Sequence, residues 1–203
     1  MDERRNTDSW DALERDCRGC MRCPLGQSRH SLVFGDGNPH ARVMLIGEGP
    51  GEQEDRQGLP FVGPAGQLLD TMLAIIDLDR TKVYIANMVK CRPPHNRDPE
   101  QLEMDACSEW LDRQIKLVRP KIIVCVGRIA GKGLLRADLR ITREHGTWQE
   151  RQGILWMATF HPSALLRDPS KRPDAFEDLM VLRTLIRENC PEVYDSNADG
   201  VLL

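Results

Sequence analysis

The stretch 41–51, "ARVMLIGEGPG", decides how the rest of the chain is read. It opens with an apolar run of strand length and stops in glycines, the pattern of a buried strand that feeds a loop. Three more runs repeat it: "KVYIANMV" (82–89), "KIIVCVG" (121–127) and "ILWMATF" (154–160). Helical periods lie between them. Ala65, Leu69, Met72 and Ile76 share one face, as do Cys107, Leu111, Ile115 and Val118, and later Phe176, Leu179, Leu182 and Ile186. The long central helix has a start signal in which Asp98 caps, Pro99 fits the first turn and Gln101 completes a capping box.

Strands that alternate with helices of this length predict a parallel sheet covered on both faces. The expected fold is a three-layer α/β/α sandwich around a four-stranded, mainly parallel sheet. It forms one domain over 1–203, with loose tails at 1–10 and 189–203. In such sheets the loops after the carboxyl ends of the strands meet in one crevice, where ligands bind. Four loops are expected there: "GEGPGEQED" (47–55), "NMVKCRPPHNR" (87–97), "GRIAGKG" (127–133) and "HPSALLRDP" (161–169).

A chain of 203 residues can bury a core without staples. It has no apolar stretch of spanning length and its first residues are polar, so a cytoplasmic protein with no membrane partner is expected. The 28 basic against 31 acidic residues leave a net charge of -3, which excludes a globally basic nucleic-acid binder. The charge is unevenly spread, however. "KCRPPHNR" (90–97) has three cations and no acid, and "HPSALLRDPSKR" (161–172) has three cations against one acid. A shared face of the two would suit a phosphate backbone.

Seven cysteines in a reducing compartment point to metal or catalysis before disulfides. Cys20 and Cys23 form a C-x2-C pair, and Cys91 and Cys107 follow far downstream with fifteen residues between them. Four thiolates suit tetrahedral zinc or a 4Fe-4S cluster, and spacing alone leaves both open. Cys17 makes a third at the front, so one of the three is surplus. Cys125, inside an apolar run, reads as a small core residue, and Cys190 as a tail thiol.

The loop "GEGPGEQED" holds three glycines that admit a ligand to the backbone, together with Glu48, Glu52, Glu54 and Asp55. Four carboxylates repel phosphate and no Gly-Lys-Ser/Thr follows; "GRIAGKG" also lacks the Walker spacing, so neither loop cradles a nucleoside triphosphate. Asn87 ends a strand at the crevice, where an amide either reads a polar edge or caps a turn. Phe61 is a core aromatic or a stacking platform, and His161 a structural histidine or a catalyst. Leu165 and Leu166 sit in a loop, where adjacent leucines waste burial unless something outside the protein receives them.

Read in order, "GEGPGEQED", "PFVGPAGQLLD" (60–70), "NMVKCRPPHNRDP" (87–99) and "HPSALLRDP" resemble the motif set of family 4 uracil-DNA glycosylases, the type with an iron-sulfur cluster. "VFGDGNP" (33–39) adds to the match, and the resemblance runs from about Cys20 to Arg187. It implies a 4Fe-4S cluster on Cys20, Cys23, Cys91 and Cys107, with Cys17 the extra cysteine. It implies a monofunctional glycosylase, expected to be monomeric, that flips uracil out of single- or double-stranded DNA, hydrolyses its N-glycosidic bond and leaves an abasic site.

In that reading Asn87 accepts from uracil N3-H and donates to O4, Phe61 stacks on the ring and His161 donates to O2 as charge develops there. Gly49 leaves the loop without a dedicated base. A dissociative reaction is expected, with water held by Glu48 or by backbone, while Glu54 walls off the methyl of thymine. Leu165 or Leu166 wedges the stack. Arg92, Arg97, Ser163 and Arg167 meet the DNA. Two other classes are weighed against this: a binder of the same fold that grips or covalently traps uracil-DNA without releasing the base, and a zinc-stabilised nucleotide-processing enzyme.

Overall fold

The computed structural model describes residues 9–195. Its helices are α1 (Trp10–Arg18), α2 (Leu25–Ser28), α3 (Glu52–Gln57), α4 (Pro64–Ile75), α5 (Gln101–Val118), α6 (Arg128–Leu134), α7 (Ile141–Glu144), α8 (Pro162–Arg167), α9 (Arg172–Asn189) and α10 (Glu192–Asp195). Its strands are β1 (Asp36–Gly37), β2 (Val43–Gly47), β3 (Val83–Asn87), β4 (Ile122–Val126), β5 (Trp148–Arg151) and β6 (Ile154–Thr159).

The four strands expected from the apolar runs are β2, β3, β4 and β6, and they pair in parallel. The sheet is wider than four: β1 and β5 add antiparallel edges, giving the order β1-β3-β2-β4-β6-β5. The missed edges have a physical reason. β1 is only Asp36 and Gly37, and β5 is largely exposed and polar, so neither carries an apolar run.

Every residue of β2, β3 and β4 is buried, because the sheet is covered on both faces. Val43, Leu45, Ile85, Val124 and Met157 point to one face, where α4, α8 and α9 pack. Met44, Ile46, Ala86, Ile123 and Cys125 point to the other, against α5 and α6. Each fully buried Leu or Ile contributes about 1.5–3 kcal/mol through area removed from water. A third, smaller core joins α1 to α5 through Leu13, Leu25, Phe34 and Trp110, and the clustered cysteines sit in it.

Several expectations about elements are corrected. α5 starts at Gln101 with Glu100 as N-cap; the Glu103 carboxylate accepts from Glu100 N at 2.8 Å, and Arg97 holds it there. Asp98 is therefore not the cap. On α9 the buried stripe runs through Ala175, Leu179, Leu182 and Ile186, and Phe176 is exposed. The chain from 189 is not loose before Asp195: Cys190 and Val193 are buried in the main core. At the front, Ser9 caps α1 and Trp10 packs edge-on against Phe34 and Tyr84. The tail expectations for 1–8 and 196–203 lie outside the described residues.

Register then sets the site. Gly47 lies opposite Asn87, and Val126 opposite Thr159, so the parallel strands end level. The loops that follow them rise at one rim.

Candidate active site

A cleft of about 510 Å³ opens at that rim, lined by residues from all four expected segments. Not all of these are loops: "GRIAGKG" forms most of α6 and gives the cleft only Arg128, and "HPSALLRDP" contains α8. Phe61, Asn87 and His161 converge there.

Asn87 is the last residue of β3 and only 2% exposed, yet its Oδ1 has no hydrogen-bond partner among the described residues. A buried acceptor left empty costs about 1–3 kcal/mol, so Asn87 Oδ1 needs an explanation, and at the wall of a cleft a donor on a bound molecule is one. Gly47 makes room beside it: a Cβ on residue 47 would stand 2.5 Å from Asn87 Oδ1 and 2.7 Å from the Phe61 ring. The turn-capping alternative for Asn87 does not describe this side chain, whose oxygen caps nothing.

His161 caps α8, and its Nδ1 accepts from Ser163 N at 3.2 Å and lies 2.7 Å from Ser163 Oγ. An acceptor at Nδ1 puts the proton on Nε2, which leaves that nitrogen as a donor. Burial pushes the His161 pKa down to about 4, with Arg167 adding to the shift and Glu54 opposing it. The imidazole is thus neutral near pH 7 and donates without carrying charge. Ser163, expected against DNA, is turned to this histidine and fixes its tautomer.

Phe61 serves the core and also faces the cleft, where its ring stacks on His161 at 5.5 Å between centroids and 30° between planes. Its backbone φ of 54° is left-handed, a conformation that costs a phenylalanine about 1–3 kcal/mol and persists only where neighbours enforce it.

The acids of the first loop divide into two jobs. Burial and the nearby Asp98 carboxylate raise the Glu48 pKa to about 7, with Arg128 and Arg167 opposing. Asp98 is itself paired to Arg128 at 2.5 Å. Glu48 therefore changes charge near neutral pH and can hold or accept a proton from a water in the cleft. Glu54 is held by backbone amides at the cleft. Its Oε1 accepts from Val62 N and Gly63 N, both at 2.9 Å, and its Oε2 accepts from Gly51 N at 3.1 Å. Both oxygens are spent on tying the first loop to the Phe61 loop, so Glu54 positions the cleft wall. Gly49 lines the cleft with backbone alone.

The two leucines separate cleanly. Leu165 is 2% exposed and packs in the main core, whereas Leu166 is 42% exposed. In α8 the buried positions are Pro162 and Leu165, three residues apart on one helix face, so Leu165 cannot leave the protein without opening the core. Arg167 lines the cleft beside them. Arg97 is not a free cation: it forks onto Glu103 at 2.6 and 2.8 Å and also meets Glu100. Arg92 donates to Asn96 Oδ1 at 2.7 Å and lies 3.6 Å from Glu52.

The family model described as Uracil DNA glycosylase superfamily matches residues 34–181. A type-4 uracil-DNA glycosylase of Sulfurisphaera tokodaii is 43% identical, with 88% of this chain and 85% of that protein covered. One of Archaeoglobus fulgidus is 37% identical over 93% of this chain and 98% of the relative. The chain belongs to the type-4 branch of the uracil-DNA glycosylase superfamily. A type-5 uracil-DNA glycosylase of Pyrobaculum aerophilum is 33% identical over 72% of this chain and 79% of its own.

The family match begins after the first cysteines, so their placement rests on the structure. Cys17, Cys20, Cys23, Cys91 and Cys107 line one small cavity between α1 and α5. No three His, Cys, Asp or Glu side chains among the described residues close tightly enough to hold a single ion. The cavity walls carry donors aimed at sulfur: Arg29 Nη1 to Cys91 Sγ at 3.1 Å, Lys90 N to Cys107 Sγ at 3.3 Å and Trp110 Nε1 to Cys20 Sγ at 3.3 Å. Thiols gain little from such donors and thiolates gain much. Burial pushes the Cys107 pKa up to about 11 and Cys17 to about 12, so ionising them needs positive charge in the cavity. Among the described residues no donor reaches Cys17 Sγ. The residues fit a thiolate-ligated cluster.

Sequence reasoning missed Asp98, Arg128, Lys90 and Gln114. Asp98 had been placed on a helix end, which hid its reach to Glu48. Lys90 was counted among the cations of "KCRPPHNR", yet it and Gln114 are only 1% and 0% exposed. Lys90 Nζ donates to Asn87 O at 2.8 Å and to Gln114 Oε1 at 2.5 Å, and Gln114 Nε2 donates to Phe34 O and Tyr84 OH. No periodicity or motif signals a buried ammonium of this kind.

Proposed function

We propose that the chain excises uracil from DNA by hydrolysing the N-glycosidic bond, as the names of its type-4 relatives indicate for those proteins. The observation that carries this reading is the buried, unpartnered Asn87 Oδ1 at the floor of the cleft. Uracil N3-H is a donor that this oxygen accepts, and the amide NH2 donates to O4. Cytosine presents the opposite pattern on that edge and leaves the amide mispaired.

The flipped base stacks on Phe61, and neutral His161 donates from Nε2 to O2. As the C1′–N1 bond breaks, its electron pair moves onto the uracil ring and charge grows at O2, where a fixed donor is worth about 3–4 kcal/mol. Water then forms the new bond at C1′ and releases a proton, which the ionised Glu48 accepts. The departing uracil anion takes its proton from solvent. Exposed Leu166 fills the gap in the stack and Arg167 meets phosphate. Cys20, Cys23, Cys91 and Cys107 would hold a 4Fe-4S cluster whose contribution is structural, tying the N-terminal segment to the loop after Asn87. The protein acts as a single-domain monomer in the cytoplasm, on single-stranded or duplex DNA.

The test is alkaline cleavage of uracil-containing oligonucleotides after incubation with iron-loaded protein, with U:G, U:A and single-stranded substrates compared. Strand breaks at uracil are expected. Tight binding with no breaks and no covalent adduct would replace the enzyme with a uracil sensor.

A further inference from the structure

The loop between α4 and β3 places one arginine behind the base platform. Arg80 uses all five of its N-H donors. Nη1 donates to Asp36 Oδ2 at 2.8 Å and Pro60 O at 3.0 Å; Nε and Nη2 donate to the Asp70 carboxylate; Nη2 also donates to Phe61 O. Two of those acceptors are the carbonyls that flank the strained Cα of Phe61. The same backbone lies close against Gly66 of α4, where any Cβ would overlap the Phe61 carbonyl.

We propose that Arg80 is the positioning residue of the uracil-stacking platform: its guanidinium clamps the Pro60 and Phe61 carbonyls and so holds Phe61 in the left-handed conformation that lays its ring beside His161. The inference rests on the functional reading given above and adds a residue that touches no substrate. A planar guanidinium satisfies two carbonyls and two carboxylates together, which the three donors of a compact ammonium cannot do in this geometry. The two carboxylates aim the fork, and the two carbonyls are what it holds. A platform fixed before the base arrives removes a rearrangement from the reaction, and displacement of such a group by about 1 Å costs about 100-fold in rate.

The test combines two measurements on Arg80→Lys and Asp70→Asn. In single-turnover excision from a uracil oligonucleotide, Arg80→Lys is expected to lose at least about tenfold in rate, but less than about threefold more when made in a Phe61→Ala background, because the two changes act through one platform. Asp70→Asn keeps the carbonyl bonds and is expected to stay within about threefold of the parent. Equal losses from Arg80→Lys in both backgrounds, or a loss in Asp70→Asn as large as in Arg80→Lys, would overturn the proposal.

Fluorine NMR of protein labelled with 4-fluorophenylalanine needs no activity, and the chain has only four phenylalanines to resolve. The Phe61 resonance, assigned by Phe61→Tyr, should shift or broaden in Arg80→Lys while the other three hold. An unmoved Phe61 signal in a folded Arg80→Lys protein would also overturn the clamp. If the parent protein fails to cut uracil yet this signal moves, the functional reading falls and the clamp stands.

Discussion

Lys90 Nζ donates to the backbone carbonyl of Asn87 at 2.8 Å, while Lys90 N donates to Cys107 Sγ at 3.3 Å. One buried residue thus joins the strand end at Asn87 to the cysteine cavity. Lys90→Met removes the ammonium and strands the Asn87 carbonyl and Gln114 Oε1. The expected cost is about 1–3 kcal/mol of stability per stranded group in urea unfolding, with iron content kept because the backbone donor to sulfur remains. Loss of iron with unchanged stability would contradict this link.

Glu48 sets a pH limb. It is protonated below about 7 and ionised above, and only the ionised form takes a proton from water. Excision measured at saturating enzyme should rise with pH and level off above about 7. Glu48→Gln should remove the limb together with most of the rate. Asp98→Asn removes the like charge that raises Glu48, so the limb should move to lower pH. The same shift predicts a stability term of the opposite sense. With the folded pKa above the ordinary 4.5, the Glu48 contribution is present in acid and lost as pH rises through about 7.

The adjacent leucines should respond differently. Leu165→Ala is a core truncation expected to cost about 2–5 kcal/mol in denaturant unfolding. Leu166→Ala should leave stability within about 0.5 kcal/mol and lower excision from duplex more than from single strands, since only duplex needs a filled stack. A substrate-independent loss in Leu166→Ala would remove the wedge role.

Among the cysteines, serine at Cys20 or Cys107 should abolish iron binding and the visible absorbance of the purified protein. Cys17→Ser should keep both, because among the described residues no donor is aimed at that sulfur. Zinc in place of iron in the parent protein would show that the cavity was misread.

Much of this was legible in the sequence because burial on both faces writes itself as unbroken apolar runs, and because Asn87, Phe61 and His161 lie in the ordered motifs that carry the family resemblance; read alone, each of the three had a structural alternative. The parts that were not legible depend on tertiary pairing. The two-residue β1 and the polar β5 have no hydrophobic signature. Leu165 and Leu166 are chemically alike, and only the turn of α8 sends one inward. The sequence of "GEGPGEQED" does not show the backbone amides that occupy both oxygens of Glu54, which come from the chain at 51 and at 62–63. Arg97 looked like a cation for phosphate because its partner Glu103 lies one helical turn beyond the basic segment.

The base-reading role of Asn87 is tested most directly by Asn87→Ala, with single-turnover excision and DNA affinity measured on the same uracil oligonucleotide. Losing one acceptor and one donor at the pairing edge should lower the rate by at least about 100-fold while affinity for the DNA changes little. A rate that survives the substitution, or an affinity that falls in step with it, would contradict the account.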